Sequence, residues 1–233
     1  MSVAPLLRVE NLRYTPRPAG DPLLPALKIE GLSLTIDPGE SVALVGPPDS
    51  GQGLVLRLAA RLLAPHSGRI YLEDKDITRA WGGQLKALRR ALQFVGGDPL
   101  RALLPHLTVG ETLQEPLVIH RRGSSADQKV RAAACAQQLG LSRFLLERRI
   151  ETLSLTMRQR VMLARALTLR PRLLIVDELA DRLEPAAASP LLENLARVCR
   201  VENLAWLWAT TDSALAHQFA DRVLVLEGGR IRV

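Results

Sequence analysis

Two short segments carry the residue types that phosphate chemistry uses. The loop Gly46-Pro47-Pro48-Asp49-Ser50-Gly51-Gln52-Gly53 lies between an apolar run at 41–45 and a helical pattern, Leu54, Leu58 and Leu62. A glycine-rich turn from a buried strand into a helix can wrap backbone N–H groups around an anion and aim the helix N-terminus at it. The spacing from Gly46 to Gly51, with Ser50 between, satisfies that requirement. The side chains do not supply the rest. Where such a loop asks for a lysine and then a hydroxyl, Gln52 and Gly53 stand. Gln52 brings no charge to neutralise β and γ phosphates, and Gly53 no oxygen for magnesium. Asp49 adds a carboxylate near the place the anion would occupy. Taken alone, the loop reads as an ordinary tight turn. The second segment is Asp177-Glu178, directly after the apolar run 173–176. Two carboxylates there suit either a polar strand end facing solvent or a ligand edge.

The elements that must position these residues follow from periodicity. Residues 6–12 and 26–36, separated by a Pro-rich loop at 16–25, alternate apolar and polar and predict antiparallel strands with one wet face. The runs 41–45, 173–176 and 204–209 are almost wholly apolar, as strands buried on both faces of a parallel or mixed sheet must be. Strands at 222–226 and 230–233 complete the pattern. Helical periods between the buried strands predict an α/β sheet whose ligand edge lies at the strand C-termini. A mostly helical stretch at 108–169, broken at 121–125, reads as an inserted helical subdomain.

The bulk numbers exclude several classes. With 233 residues, 47% hydrophobic and 24% charged, the chain has the composition of a globular protein with a sizeable core. No apolar stretch approaches the roughly 20 residues that span a bilayer, and the first residues lack the pattern of a signal peptide. The net charge of +7 is carried by arginine clusters such as Arg89-Arg90, Arg121-Arg122 and Arg148-Arg149. Aromatic residues make up only 3%, so few stacking platforms interleave with them, which argues for a solvated basic surface over a nucleic-acid partner. Cys135 and Cys199 have no second ligand at metal spacing and read as reduced, partly buried thiols.

Further segments in order give the chain its resemblance to a family. Gln93-Phe94-Val95-Gly96-Gly97-Asp98-Pro99, Leu103-Leu104-Pro105, Thr108-Val109-Gly110-Glu111 and Glu115-Pro116-Leu117 precede Leu153-Ser154-Leu155-Thr156-Met157-Arg158-Gln159-Arg160 and Ala164-Arg165-Ala166-Leu167. Then come Leu174 to Glu178, Asp181 to Pro185 and Thr210-Thr211-Asp212. This series resembles the ATP-binding subunits of ABC transporters, in the oligopeptide, dipeptide and nickel importer group. It is similar to their Q-loop, signature loop, Walker B strand, D-loop and switch, and it covers nearly the whole chain.

The resemblance implies a P-loop NTPase core of ABC type with an antiparallel β subdomain and an inserted helical subdomain at about 100–169, in one nucleotide-binding domain over 1–233 without a C-terminal extension. It implies ATP and magnesium as ligands, with Gly46, Ser50, Gly51, Gln52 and Gly53 around the phosphates and Tyr14 near the adenine. Asp177 would hold the metal, and Glu178 would orient or deprotonate the attacking water. Ser154 would face the nucleotide of a partner subunit, because the family works as head-to-tail dimers. The departures fall on functional positions: Gln52 for the Walker A lysine, Gly53 for its hydroxyl residue, Gly97 for the Q-loop glutamine and Thr211 for the switch histidine. Glu184 replaces the D-loop aspartate, Leu179 the proline after the glutamate, and Leu155, Thr156 and Met157 the Gly-Gly-Gln of the signature.

The expectation is therefore a chain whose own ATP and magnesium binding is weak or absent. It would pair as a heterodimer with a second ABC subunit, receive the coupling helix of a membrane subunit at 96–120 in a complex with two membrane permease subunits, and serve, indirectly, a substrate-binding protein. It would lie on the cytoplasmic face of the inner membrane and support peptide or nickel import. A structural ABC-like subunit of a soluble enzyme complex and a nucleic-acid-associated ABC protein are the alternative readings.

Overall fold

In a computed structural model, residues 4–16, 27–179, 181 and 183–232 are described. The expected strand start at Ala26, most of the Pro-rich loop and the terminal Val233 lie outside them.

The chain opens with β1 (Leu7–Tyr14) and β2 (Ile29–Ile36), an antiparallel pair. Each buries alternate residues and wets the others, as the sequence alternation requires. β4 (Ser67–Leu72) and β5 (Lys75–Asp76) extend this sheet in the order β2-β1-β4-β5. Neither was expected from the sequence. β4 has a weak signature, Ser-Gly-Arg before three apolar-leaning residues, and its place comes from pairing with β1 rather than from its own period.

The second sheet is the frame of the molecule. β3 (Ser41–Val45), β7 (Leu173–Val176) and β8 (Ala205–Thr210) are buried at every residue. β6 (Leu92–Val95) and β9 (Arg222–Glu227) flank them, and β10 (Arg230–Arg232) turns back antiparallel on β9. The order among the described residues is β10-β9-β3-β8-β7-β6, with all other pairs parallel. Gln93-Phe94-Val95, read above only as part of a loop motif, is thus an edge strand.

Full burial of the central strands follows from layers on both faces. Val42, Leu44, Leu173, Ile175, Leu207 and Ala209 point toward α1 (Gln52–Ala59) and the antiparallel sheet. Ala43, Val45, Leu174, Val176, Trp206 and Trp208 point the other way, into the helical layer. The two tryptophans, two residues apart on β8, stack at 5.1 Å and 5°.

Between β5 and β7 run α2 (Gly82–Ala91), α3 (Pro99–Ala102), α4 (Val109–Ile119), α5 (Ser125–Gln138) and α6 (Leu155–Leu167). The break expected at 121–125 is real: α4 ends at Ile119, and Ser124 starts the next helix with a capping box to Asp127. α4 begins with the same device, Thr108 and Glu111. α7 (Pro185–Glu202) and α8 (Ser213–Phe219) complete the chain, α7 closing on Asn203 in the left-handed conformation. Among the described residues no helix is long and apolar enough to cross a membrane. Both cysteines are fully buried free thiols rather than partly buried, Cys135 on α5 and Cys199 on α7.

Candidate functional site

The C-terminal ends of β3, β7 and β8 converge on one edge, where the loop 46–53 meets Asp177, Glu178, Thr210 and Thr211. Gly46 has no room for a side chain: a Cβ there would lie 2.4 Å from Ser50 Oγ and 2.5 Å from the Leu226 carbonyl. Gly51 holds φ of 98° and starts α1, where a Cβ would stand 2.5 Å from Leu27 Cδ2. Packing fixes Gly46 and the left-handed backbone fixes Gly51, so the turn keeps the shape of a phosphate cradle.

The interior of that cradle is filled by the protein. Gln52 is buried, accepts a hydrogen bond at 2.7 Å from Ser50 Oγ through Oε1, and donates one at 2.7 Å from Nε2 to the Gly46 carbonyl. Both ends of its amide are spent inside the loop. A lysine would leave a charge free to follow an incoming phosphate; this amide is a neutral internal tie. Ser50, expected to face a phosphate, is buried and serves as the other half of the tie.

Beside it, Asp177 is buried at the end of β7, its N–H donating to the Val95 carbonyl at 2.8 Å. Its Oδ2 lies 3.3 Å from Nη2 of Arg57, on α1. Gly53 makes this approach possible: a Cβ there would sit 3.1 and 3.2 Å from the Asp177 carboxylate oxygens and 3.5 Å from Arg57 Nη1. Arg57 is four residues after Gly53 and so shares its helix face. The sequence reading missed it, although that i, i+4 relation to the vacant hydroxyl position was the available signal. Asp177 is buried, whereas Glu178 is exposed with φ of 51° and lines the cleft at these strand ends.

Gly97 closes against the same backbone, its hypothetical Cβ 3.0 Å from the carbonyl oxygens of both Asp177 and Glu178. No larger residue fits there without displacing β7's end. Across the cleft, Thr210 Oγ1 donates to Asp181 Oδ1 at 2.7 Å and the Thr211 N–H donates to Asp181 Oδ2 at 3.1 Å. Asp181, read from the sequence only as the first residue of the 181–185 segment, holds the β8 end to the segment after β7. The space left is a cleft of about 220 Å³ walled by Asp49, Gln52, Glu178, Asp181 and Thr211, with no lysine or arginine in its wall among the described residues. Three carboxylates facing one small cleft oppose entry of a polyanion.

The remaining expected residues lie elsewhere. Tyr14 ends β1 half-buried, stacked on His66 at 5.1 Å and 24°, and does not line the cleft. Glu184 precedes α7 without a side-chain cap bond. Ser154 caps α6, its Oγ accepting from the Met157 N–H at 3.3 Å, and stands exposed beside Leu155 and Met157, 40% and 38% exposed. The structure therefore brings Gln52, Gly53, Asp177, Glu178, Gly97 and Thr211 together and leaves Ser154 and Tyr14 outside.

A separate groove of about 370 Å³ runs between edge strand β6 and helices α4 and α6, past Phe94, Pro116, Ile119, His120, Met162 and Arg165. Arg165 is fixed by Glu115 at 2.6 Å. Burial, first, and the positive charges of Arg90, Lys86 and Arg122 lower the His120 pKa, favouring the neutral ring. Leu100, Leu104, Val118 and Ile119 are exposed on nearby segments.

Comparison with known proteins places this geometry. Residues 29–181 match the family described as ABC transporter. A Brucella ovis protein named as a peptide import ATP-binding protein is 33% identical over 234 residues, covering 99% of this chain and 72% of its own length. The glutathione import ATP-binding protein GsiA of Escherichia coli is 32% identical over 97% of this chain and 37% of its own. Among solved structures, cbiO1 from Clostridium perfringens, part of the ABC transporter complex cbiONQ, superposes with a TM-score of 0.87 at 23% identity, covering 98% of this chain and 87% of that one. A dimeric ATP-binding cassette solved in a post-hydrolysis state with ADP and Pi has a TM-score of 0.84 at 23% identity, covering 97% of each chain.

Proposed function

The chain belongs to the ABC transporter family, among ATP-binding subunits of the peptide-import type, and from that premise we propose that it is the non-hydrolysing member of a heterodimer. The observation that carries this reading is the pair of internal substitutes in its own site. The Gln52 amide takes up the cradle where phosphate charge would be met, and the Arg57 guanidinium takes the carboxylate of Asp177, where magnesium would be held.

The residues present do not fit magnesium-ATP at this loop. Gly53 offers no hydroxyl, the carboxylate that would ligate the metal already has an organic cation beside it, and the cleft wall is acidic. A missing charge-assisted hydrogen bond to phosphate costs about 1.5–3 kcal/mol, so several together remove most of the nucleotide affinity. Glu178 is retained but idle.

The chain's contribution lies in its other surfaces. Ser154 and the first N–H groups of α6 face a nucleotide held by a partner's loops, where a helix N-terminus stabilises an anion even with Leu155 and Thr156 in place of glycines. The groove beside β6 and α4 receives a segment of a membrane permease subunit, and the chain sits as one domain over 1–233 on the cytoplasmic face of the inner membrane. Peptides are the favoured solute class, since that is what the similar import proteins are named for.

The test is turnover by the chain alone and in its native complex. The purified chain is expected to show no magnesium-dependent ATP hydrolysis, while the complex hydrolyses ATP and tolerates Glu178→Gln in this subunit. Turnover by the isolated chain that disappears in Glu178→Gln would sink the proposal.

A further inference from the structure

A third cavity lies on the opposite edge of the parallel sheet from the cleft, at the starts of β7 and β8 rather than their ends. It measures about 370 Å³ and opens between α5, the turn after α6 and the end of α7. Its floor is apolar: Cys135, Leu167, Val198 and Leu204. Its walls carry Arg131, Arg170 and Arg172 against a single carboxylate, Glu202.

The charges in this wall are unevenly matched. Arg172 pairs with Glu73, outside the cavity. Glu202 accepts a hydrogen bond at 3.1 Å from Gln138 Nε2. No ion pair joins Arg131 or Arg170 to a carboxylate among the described residues. The Nε of Arg131 is sealed from solvent and meets no acceptor there. Cys135 does not act as the missing anion, because burial pushes its thiol up to about 11 and keeps it neutral. Burial, followed by the nearby Arg170, lowers the Arg131 pKa against the opposing pull of Glu202, while Arg170 itself is exposed.

A guanidinium presents a rigid fork of donors that matches phosphate and carboxylate oxygens. Two such groups with no carboxylate in ion-pair contact and one nearby, Glu202, above an apolar floor in a cavity at the lower end of the small-ligand range, ask for a compact dianion on a small organic body. A phosphoryl group answers both charges with one centre, where a carboxylate answers one. We propose that this cavity is an anion site for a phosphoryl-bearing small molecule, independent of the nucleotide loop.

The test uses the full chain at fixed ionic strength, titrated with inorganic phosphate and pyrophosphate while backbone amide resonances are followed by NMR. The expected result is saturable shifts confined to 131–138, 170–172 and 198–204, weakened at least tenfold by Arg131→Gln and by Arg170→Gln, and unchanged by Arg121→Gln. Circular dichroism and thermal melting identify any variant that fails to fold, and Arg131→Lys, which keeps the charge, should bind at intermediate strength. A parallel arm measures sedimentation with phosphatidic acid vesicles. Vesicle binding lost in the same two variants assigns the phosphoryl group to a lipid headgroup, and soluble binding alone assigns it to a free metabolite. Shifts that follow ionic strength without saturating, that occur only at 46–53, or that survive the double Arg131→Gln, Arg170→Gln change would overturn the site.

Discussion

Two helix N-termini in this molecule differ in where their polar groups are directed. α1 starts at Gln52 behind a glycine-rich loop, and α6 starts at Leu155 behind Ser154. At α1 the polar groups turn inward: Ser50, Gln52 and the Gly46 carbonyl satisfy one another, and Arg57 covers Asp177. At α6 the serine caps its own helix, and the end stays open to solvent with Leu155 and Met157 on its rim. The first end is closed by internal hydrogen bonds and charge; the second is only crowded. A closed end needs several changes to be reopened. A crowded end needs the removal of a few carbon atoms.

The largest expected effect tests whether the two ends have divided the labour. In the native complex, replacing the catalytic glutamate of the partner by glutamine should reduce ATP turnover by roughly 100-fold or more, the scale of losing one group that acts on the transition state. Glu178→Gln in this chain should change it less than about twofold, on the premise that an idle group contributes nothing differential to the barrier. Steady-state phosphate release measures both. Equal losses in the two variants would erase the asymmetry between α1 and α6.

The next effect concerns the closure at α1. Arg57→Ala removes one cation from beside the buried Asp177 carboxylate, which should cost about 1.5–3 kcal/mol, the range for one hydrogen bond to a charged group. Arg57 is 33% exposed, so the lower part of that range is expected. Millimolar magnesium should recover part of the loss in Arg57→Ala and do nothing for the parent chain, as read by urea denaturation with and without the ion. A magnesium effect of equal size in both proteins would mean that Arg57 does not occupy the cation's place.

At α6 the prediction is a gain. Leu155→Gly with Thr156→Gly should raise turnover by the complex up to about tenfold, the equivalent of one hydrogen bond near 1.4 kcal/mol recovered by closer backbone approach. Glycine in a first helical turn lowers helix stability by up to about 1 kcal/mol, so the melting temperature is followed alongside. Unchanged turnover with an intact fold would place the obstacle somewhere other than the signature loop.

How much of this was legible in the sequence depends on whether a residue's role is local. The buried strands β3 and β7 were found to the residue because their composition alone marks them, and the break at 121–125 because a polar run interrupts the helical pattern there. β4 and β5 were not found, because they are short or weakly patterned and their places depend on pairing with β1 and with each other; α2 was not found although its helical period is clear. The same division holds in the site. The loss of lysine and hydroxyl at Gln52 and Gly53 was plain, whereas the ties that replaced them were not. Thr210 meets Asp181 across 29 positions of chain with no local pattern to announce it, and Arg57 meets Asp177 across 120, its one local sign being its place a helical turn after Gly53. That Ser154 stands apart from the 46–53 loop was legible only through the family's head-to-tail arrangement.

The smallest effect asks whether the layer behind α6 is as closed as α1, although its rim is open. Cys135 and Cys199 lie in that layer, and burial pushes their thiols up, to about 11 and about 12. An unfolded cysteine titrates near 8.5. Both thiols therefore stay neutral in the folded chain while the unfolded chain ionises. The stability they preserve is fully present below about pH 8.5 and declines as pH rises toward the folded values, by at most about 1.4 kcal/mol per pH unit for each thiol. Urea denaturation at pH 7, 9 and 10 should show this decline, with a shallower slope in Cys199→Ala, a change that also removes the sulfur's packing and so lowers stability at every pH. The slope, rather than the offset, carries the test, since lysine and tyrosine titrate equally in both proteins. Identical slopes, or rapid labelling of both thiols by a thiol reagent at pH 8, would show a helical layer that opens along with the α6 rim, and the contrast between a closed and a crowded helix end would reduce to one of degree.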